Sequence, residues 1–176
     1  MKKYTHLIFF IFFASMLAVG CTGLKDNNNA SQTSSPQPTQ AVYQDTAWRE
    51  SIHTYTELLG TDFKNVQIVM DNTNNSDYTT LATIGQNISD HSHAALTENN
   101  QYTVSPQFRD AQKEWGLALE DSNSAGKSVI VVANDIKNGN TNSKLEDIQK
   151  YMESRNSMNV HLNKTTTLMK TAYGKA

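Results

Sequence analysis

The stretch "SNSAGKSVIVVA", Ser122–Ala133, decides the fold class. Its second half is rich in β-branched residues and reads by composition alone as a buried strand. Its first half is a string of small residues that helices do not favour. No other segment of the chain offers Ser128–Ala133 a partner strand. The three/four spacing of apolar positions also runs straight through it: Phe108, Ala111, Trp115, Leu119, Ser122, Gly126, Val129, Val132 and Ile136. The expectation is therefore one long helix, bent or frayed at Ser122–Gly126, and an all-α protein.

Working outward, the same periodicity recurs on both sides. Trp48, Ile52, Tyr55, Leu59, Phe63, Val66 and Met70 fall on one face of a first helix, with Asp45 or Thr46 as its N-cap. "DNTNNSD", Asp71–Asp77, is a turn, because Asn and Asp side chains bond to nearby backbone. A second helix carries Tyr78, Leu81, Ile84, Ile88, His91 and Ala95, and Gly85 weakens it. It ends near Glu98–Tyr102. Ser105-Pro106 then reads as N-cap and first position of the third helix. After the turn "NGNTN", Asn138–Asn142, Ser143-Lys144-Leu145-Glu146 has the form of a capping box. The fourth stripe is Leu145, Ile148, Met152, Met158, Leu162, Met169 and Ala172, with Arg155 interrupting it. Four helices with short turns predict an up-down-up-down four-helix bundle over residues 45–176. Their unequal lengths predict that one end is splayed or three-stranded.

The first 44 residues differ in kind. Lys2 and Lys3 precede Leu7–Val19, a thirteen-residue apolar run, and the chain's only cysteine, Cys21, follows at once. That is the layout of a secretory signal, and it is short for a membrane span. In Leu17 and Ala18-Val19-Gly20-Cys21 the chain resembles the prokaryotic membrane lipoproteins, bacterial or archaeal, whose lipobox reads aliphatic, small, small, Cys. Ala18 stands where that pattern prefers Leu, which leaves open an uncleaved anchor or a plain signal peptide with a chance cysteine. The resemblance covers the leader alone. It implies removal of residues 1–20, diacylglycerol or further acyl lipid such as palmitate on the Cys21 sulfur, and localisation at the outer face of the cell membrane or another envelope membrane. Two acyl chains suffice for a stable anchor at about 0.8 kcal/mol per buried methylene.

Thr22–Gln44 is Asn, Gln, Ser, Thr and Pro with almost no large apolar side chain, so it is expected to stay disordered. A flexible tether of this length averages roughly 25–30 Å end to end. Residues 21–44 therefore read as a lipid-anchored linker. Loss of Lys2 and Lys3 from the 15 basic residues leaves 13 against 17 acidic ones, a net charge near −4. That argues against nucleic acid as a partner and against a polybasic grip on anionic lipid.

Chemistry is sparse. There is no glycine-rich phosphate loop and no defensible nucleophile–base pair, so the expectation is no enzyme and no cofactor. The candidate metal or haem ligands are His53, His91 and His161, which an antiparallel stack places ~10, ~9 and ~16 Å below one end. Glu50 and His53 have the Glu-x-x-His spacing of bundle di-metal sites, but a second such pair is absent. Only His91 lies on a core stripe. The expectation is boundary histidines and no bound metal. Four Asn-x-Ser/Thr sequons, at Asn29, Asn74, Asn87 and Asn163, are candidate glycosylation sites in an exported chain. Three functions compete: a non-enzymatic binding or structural module partnered with an envelope protein, a ligand-sensing or solute-binding bundle, and a metal or haem protein.

Overall fold

The computed structural model describes residues 41–72 and 77–174. The expected signal peptide, Cys21, Asn29, Asn74 and most of the expected linker lie outside the described residues. Four helices follow in order: α1 (Asp45–Asp71), α2 (Tyr78–Gln101), α3 (Arg109–Asn138) and α4 (Thr141–Tyr173). A single 3-10 turn, Pro106–Phe108, leads into α3. Consecutive helices pack antiparallel, and the protein is an all-α up-down-up-down four-helix bundle. Among the described residues there is no strand, and no helix is long and apolar enough to cross a membrane.

The decisive stretch is helical throughout. Val129, Val132 and Ala133 are buried while Val131 is 45% exposed. A strand would have buried Val129 and Val131 together; burial at i, i+3 and i+4 is the helical pattern. α3 neither bends out of assignment nor frays at Ser122–Gly126. The small residues there are the contact with α2. A Cβ added at Gly126 would lie 2.8 Å from both the Gly85 carbonyl oxygen and the Ser89 nitrogen. One added at Gly85 would lie 2.9 Å from the Gly126 carbonyl oxygen. The two glycines thus let the backbones touch, and this contact offsets their low helix propensity. Hydroxyls fill the rest of the crossing. Ser92 Oγ donates to the Ile88 carbonyl at 2.6 Å and meets Ser122 Oγ at 2.8 Å, and Ser89 Oγ donates to Asn123 Oδ1 at 2.7 Å.

The main core runs down the bundle through Leu59, Phe63, Val66, Leu81, Ile88, Trp115, Leu119, Val129, Val132, Tyr151 and Met158. A second cluster closes the end where α1 begins: Trp48, Val104, Phe108, Ala111 and Ala172. There the Trp48 and Phe108 rings lie 5.9 Å apart, and the Tyr173 ring meets Phe108 edge-on at 5.4 Å. α1 reaches α4 through long side chains: Phe63 lies 6.5 Å from Tyr151, and the Arg49 guanidinium stands 5.0 Å over the Tyr173 ring.

Helix ends depart from the sequence expectations in instructive ways. The residue before α1 is Gln44, so Asp45 is already helical and does not cap. Its carboxylate instead accepts from the Ser105 backbone N–H at 2.8 Å, across the α2–α3 connection. Asp77 caps α2 by accepting from Thr80 N at 2.9 Å. Gly139, at φ 70°, ends α3 with its own N–H on the Ile136 carbonyl and that of Asn140 on the Asp135 carbonyl, the paired bonds of a Schellman ending. α4 then starts at Thr141, so the expected capping box at Ser143–Glu146 does not form; Ser143 Oγ donates to the Asn140 carbonyl, within the first turn.

The buried seam of α4 shares Met158 and Ala172 with the expected stripe and is completed by Tyr151 and Thr165 rather than by Leu145 and Met152. Leu145 and Met152 are exposed, at 65% and 44%. The buried line is Tyr151, Met158, Thr165 and Ala172. Those residues are spaced seven apart, the repeat that keeps a helix seam on its partner. Ile148 and Leu162 pack partly buried against the core from the flank.

Candidate functional site

The three candidate histidines belong to three separate contacts. His53 sits on the exposed side of α1, its Nε2 3.4 Å from Glu57 one turn on. His91 bridges α2 to α1, with Nδ1 2.8 Å from Asp62 Oδ2. Asp62 is the more deeply buried partner; the His91 side chain is 35% exposed. His161 lies in the α3–α4 seam and is 20% exposed, so it is His161 and not His91 that sits deepest. Its Nδ1 is 2.5 Å from Glu114 Oε2, and its Nε2 faces Asp121 Oδ2 at 3.9 Å. Lys164 Nζ stands 3.9 Å from the other Glu114 oxygen.

Glu114 and Asp121 are seven apart on α3, two turns on one face, and so flank the ring from opposite sides. The hydrogen bond from His161, seconded by Lys164, holds the Glu114 carboxyl below its ordinary value. Asp121 Oδ2 is buried and accepts no hydrogen bond. Two carboxylates on opposite ring nitrogens cannot both ligate one ion through the shared imidazole. Among the described residues no three His, Cys, Asp or Glu side chains gather as a metal set. The arrangement locks helices together: His91 joins α1 to α2, and His161 joins α3 to α4.

Two sequons fall within the described residues. Asn87 on α2 and Asn163 on α4 are both exposed on helix surfaces.

Sequence reasoning misses a polar network at the α1 end of the bundle. Trp48 Nε1 donates to Asn99 Oδ1 at 2.9 Å. Asn99 Nδ2 donates to the Gln112 carbonyl at 3.3 Å, and Gln112 Nε2 donates in return to the Asn99 and Tyr102 carbonyls at 2.8 and 3.0 Å. Beside it, the Tyr102 hydroxyl donates to Glu98. Tyr102 is pushed up from the ordinary phenol value, chiefly because that bond holds its proton. Tyr55 is also pushed up, by burial first and then by Glu98. A spacing signal exists, since Asn99 follows Ala95 and Ser92 on the α2 stripe, but an asparagine does not register as a core position.

Next to this network a groove of about 350 Å³ opens between α2 and α3. From α3 it is lined by Arg109, Gln112, Lys113, Gly116, Leu117 and Glu120, and from α2 by Leu96, Asn99 and Asn100, with Tyr102 just beyond. Arg109, Lys113, Gly116 and Glu120 are spaced four, three and four apart, one face of α3. Glu114 and Asp121 occupy the face toward α4. The third helix therefore sets Arg109 and Lys113, with Glu120, beside α2, and Glu114 and Asp121 beside α4. No family model matches this chain, and neither a curated protein nor a solved structure shows significant similarity to it.

Proposed function

We propose that the protein is an exported, lipid-anchored component of the cell envelope, whose helical bundle is a binding or structural module joined to the anchor by the polar tract before α1. The observation that carries this reading is the sequence order: basic start, thirteen apolar residues, Gly20-Cys21, then a tract too polar to bury a core. The way the chain enters the bundle supports it. Residues 41–44 are exposed and without regular structure, and α1 begins directly after them. Gln44 N donates to the Thr103 carbonyl at 2.8 Å, and Thr103 N donates back to Gln44 Oε1 at 3.0 Å. With the Asp45–Ser105 bond these pin the first turn of α1 to the α2–α3 connection. A pull along the linker would meet three hydrogen bonds and buried Trp48 before it reached the rest of α1. Cys21→Ser tests the reading. The variant is expected to leave the membrane fraction for the medium, or to accumulate unprocessed. A variant that fractionates and processes like the parent would refute it.

A further inference from the structure

We infer that the α2–α3 groove is a binding site for a short acidic saccharide carrying one carboxylate, of the size of one or two sugar rings. The inference goes beyond the tethered-module reading and does not depend on Cys21, because the groove lies wholly within the bundle. At about 350 Å³ it falls in the lower range of small-ligand sites.

The lining states the ligand chemistry. Arg109 and Lys113 are exposed, one turn apart, and neither has an ion-pair partner within 4.0 Å among the described residues. They offer a fork and a point charge to a carboxylate at one end of the groove. Glu120 stands two to three turns further along α3, about 10–16 Å from them by helical rise. It repels a second carboxylate there and accepts from hydroxyls instead. Beside the two cations lie amides with unused capacity. Asn99 is 4% exposed, and its side-chain nitrogen spends one of two hydrogens, on the Gln112 carbonyl. That nitrogen lies 3.4 Å from where a Gly116 Cβ would stand, and Asn99 and Gly116 both line the groove. Gln112 spends both amide hydrogens on backbone carbonyls, and among the described residues its oxygen accepts nothing. Donors and acceptors set side by side over a small apolar floor of Leu96, Gly116 and Leu117 suit a ring with hydroxyls on its rim and C–H groups on its face. A peptide strand would find no sheet edge here, and an amphipathic helix would find too little apolar surface.

The test is a titration of the detergent-solubilised full chain, ¹⁵N-labelled, followed by amide chemical shifts. The probe is the disaccharide of glucuronate and N-acetylglucosamine, with neutral N,N′-diacetylchitobiose and sodium acetate as comparisons. The expected result is saturable shifts confined to residues 96–102 and 109–120. Chitobiose and acetate are each expected to bind at least about tenfold more weakly, as is the acidic probe to the Arg109→Gln/Lys113→Gln variant. Acetate binding as tightly as the disaccharide would overturn the saccharide assignment and leave a bare anion site. Chitobiose binding as tightly would overturn the role of the two cations. The absence of saturable shifts with the acidic probe would overturn the site itself. The three ligands are compared on the parent protein, so the proposal stays testable even where the variant fails to fold.

Discussion

Replacing Gly126 by alanine probes the contact that the small residues of α3 make with α2. In an exposed helix the change is favourable by about 0.8–1 kcal/mol, because alanine loses less backbone freedom on folding. At Gly126 the added methyl would meet the Gly85 oxygen and the Ser89 nitrogen at 2.8 Å, and Ile88 Cγ2 at 3.0 Å. Two of these three are backbone atoms, so no side chain can rotate away and the helices must separate. Overpacking of this kind costs about 1–3 kcal/mol, and a backbone clash belongs in the upper half of that range. The expected net effect is a loss of about 1–2 kcal/mol. Gly60 supplies the control within the same molecule. It is exposed on α1 and a Cβ there meets nothing within 4 Å, so Gly60→Ala should gain the full propensity term. The two variants should therefore differ by about 2–3 kcal/mol in opposite directions. Urea denaturation followed by helical circular dichroism measures this directly. Thermal midpoints should move by about 3–5 °C per kcal/mol for a domain of this size. Equal stabilisation by both changes would refute the close crossing of α2 and α3.

Trp48→Phe keeps the ring in its cluster but removes the donor to Asn99 Oδ1, which leaves a buried acceptor unpaired. A loss of about 1–3 kcal/mol is expected from the same denaturation assay, and an unchanged midpoint would argue against the network. Glu114→Gln removes a carboxyl held below its ordinary value of 4.5, chiefly by the hydrogen bond from His161. A depressed carboxylate stabilises the fold above its unfolded-state value, and that contribution disappears as pH falls through the folded-state value. The parent should accordingly lose thermal stability more steeply than Glu114→Gln between about pH 5 and about pH 3. Parallel pH profiles would contradict the His161–Glu114 lock.

The fold is largely legible where burial follows large apolar residues. The α1 stripe from Trp48 to Val66 and the α3 stripe through Val132 both stand in the core. Legibility fails where small or polar residues carry the packing. Gly85, Ser122 and Gly126 read as weak points, yet they lie where α2 and α3 meet backbone to backbone, because a crossing at that distance requires the residues that propensity penalises. On α4 the seam contains Thr165, buried at 3% exposure, while Met152 lies outside at 44%. A hydropathy stripe therefore takes in Met152 and passes over Thr165. Ser143 carries a capping-box pattern, but Gly139 ends α3 so sharply that α4 has already begun two residues before it. For the histidines, counting helical rise gives approximate heights but not partners. The carboxylates that hold His91 and His161 come from neighbouring helices, 29 and 47 residues away in sequence. Cys21 and the groove mark the two extremes. The first is legible only in sequence order, and the second exists only once α2 and α3 are side by side.

The central claim is that the mature chain begins at a lipid-bearing Cys21, and the most direct measurement is the intact mass and N-terminal peptide of the protein purified from membranes. The account predicts a chain starting at Cys21, with residues 1–20 absent and the N-terminal peptide heavier by a diacylglyceryl group. A chain that still begins at Met1, or one cut elsewhere with an unmodified Cys21 thiol, would contradict it.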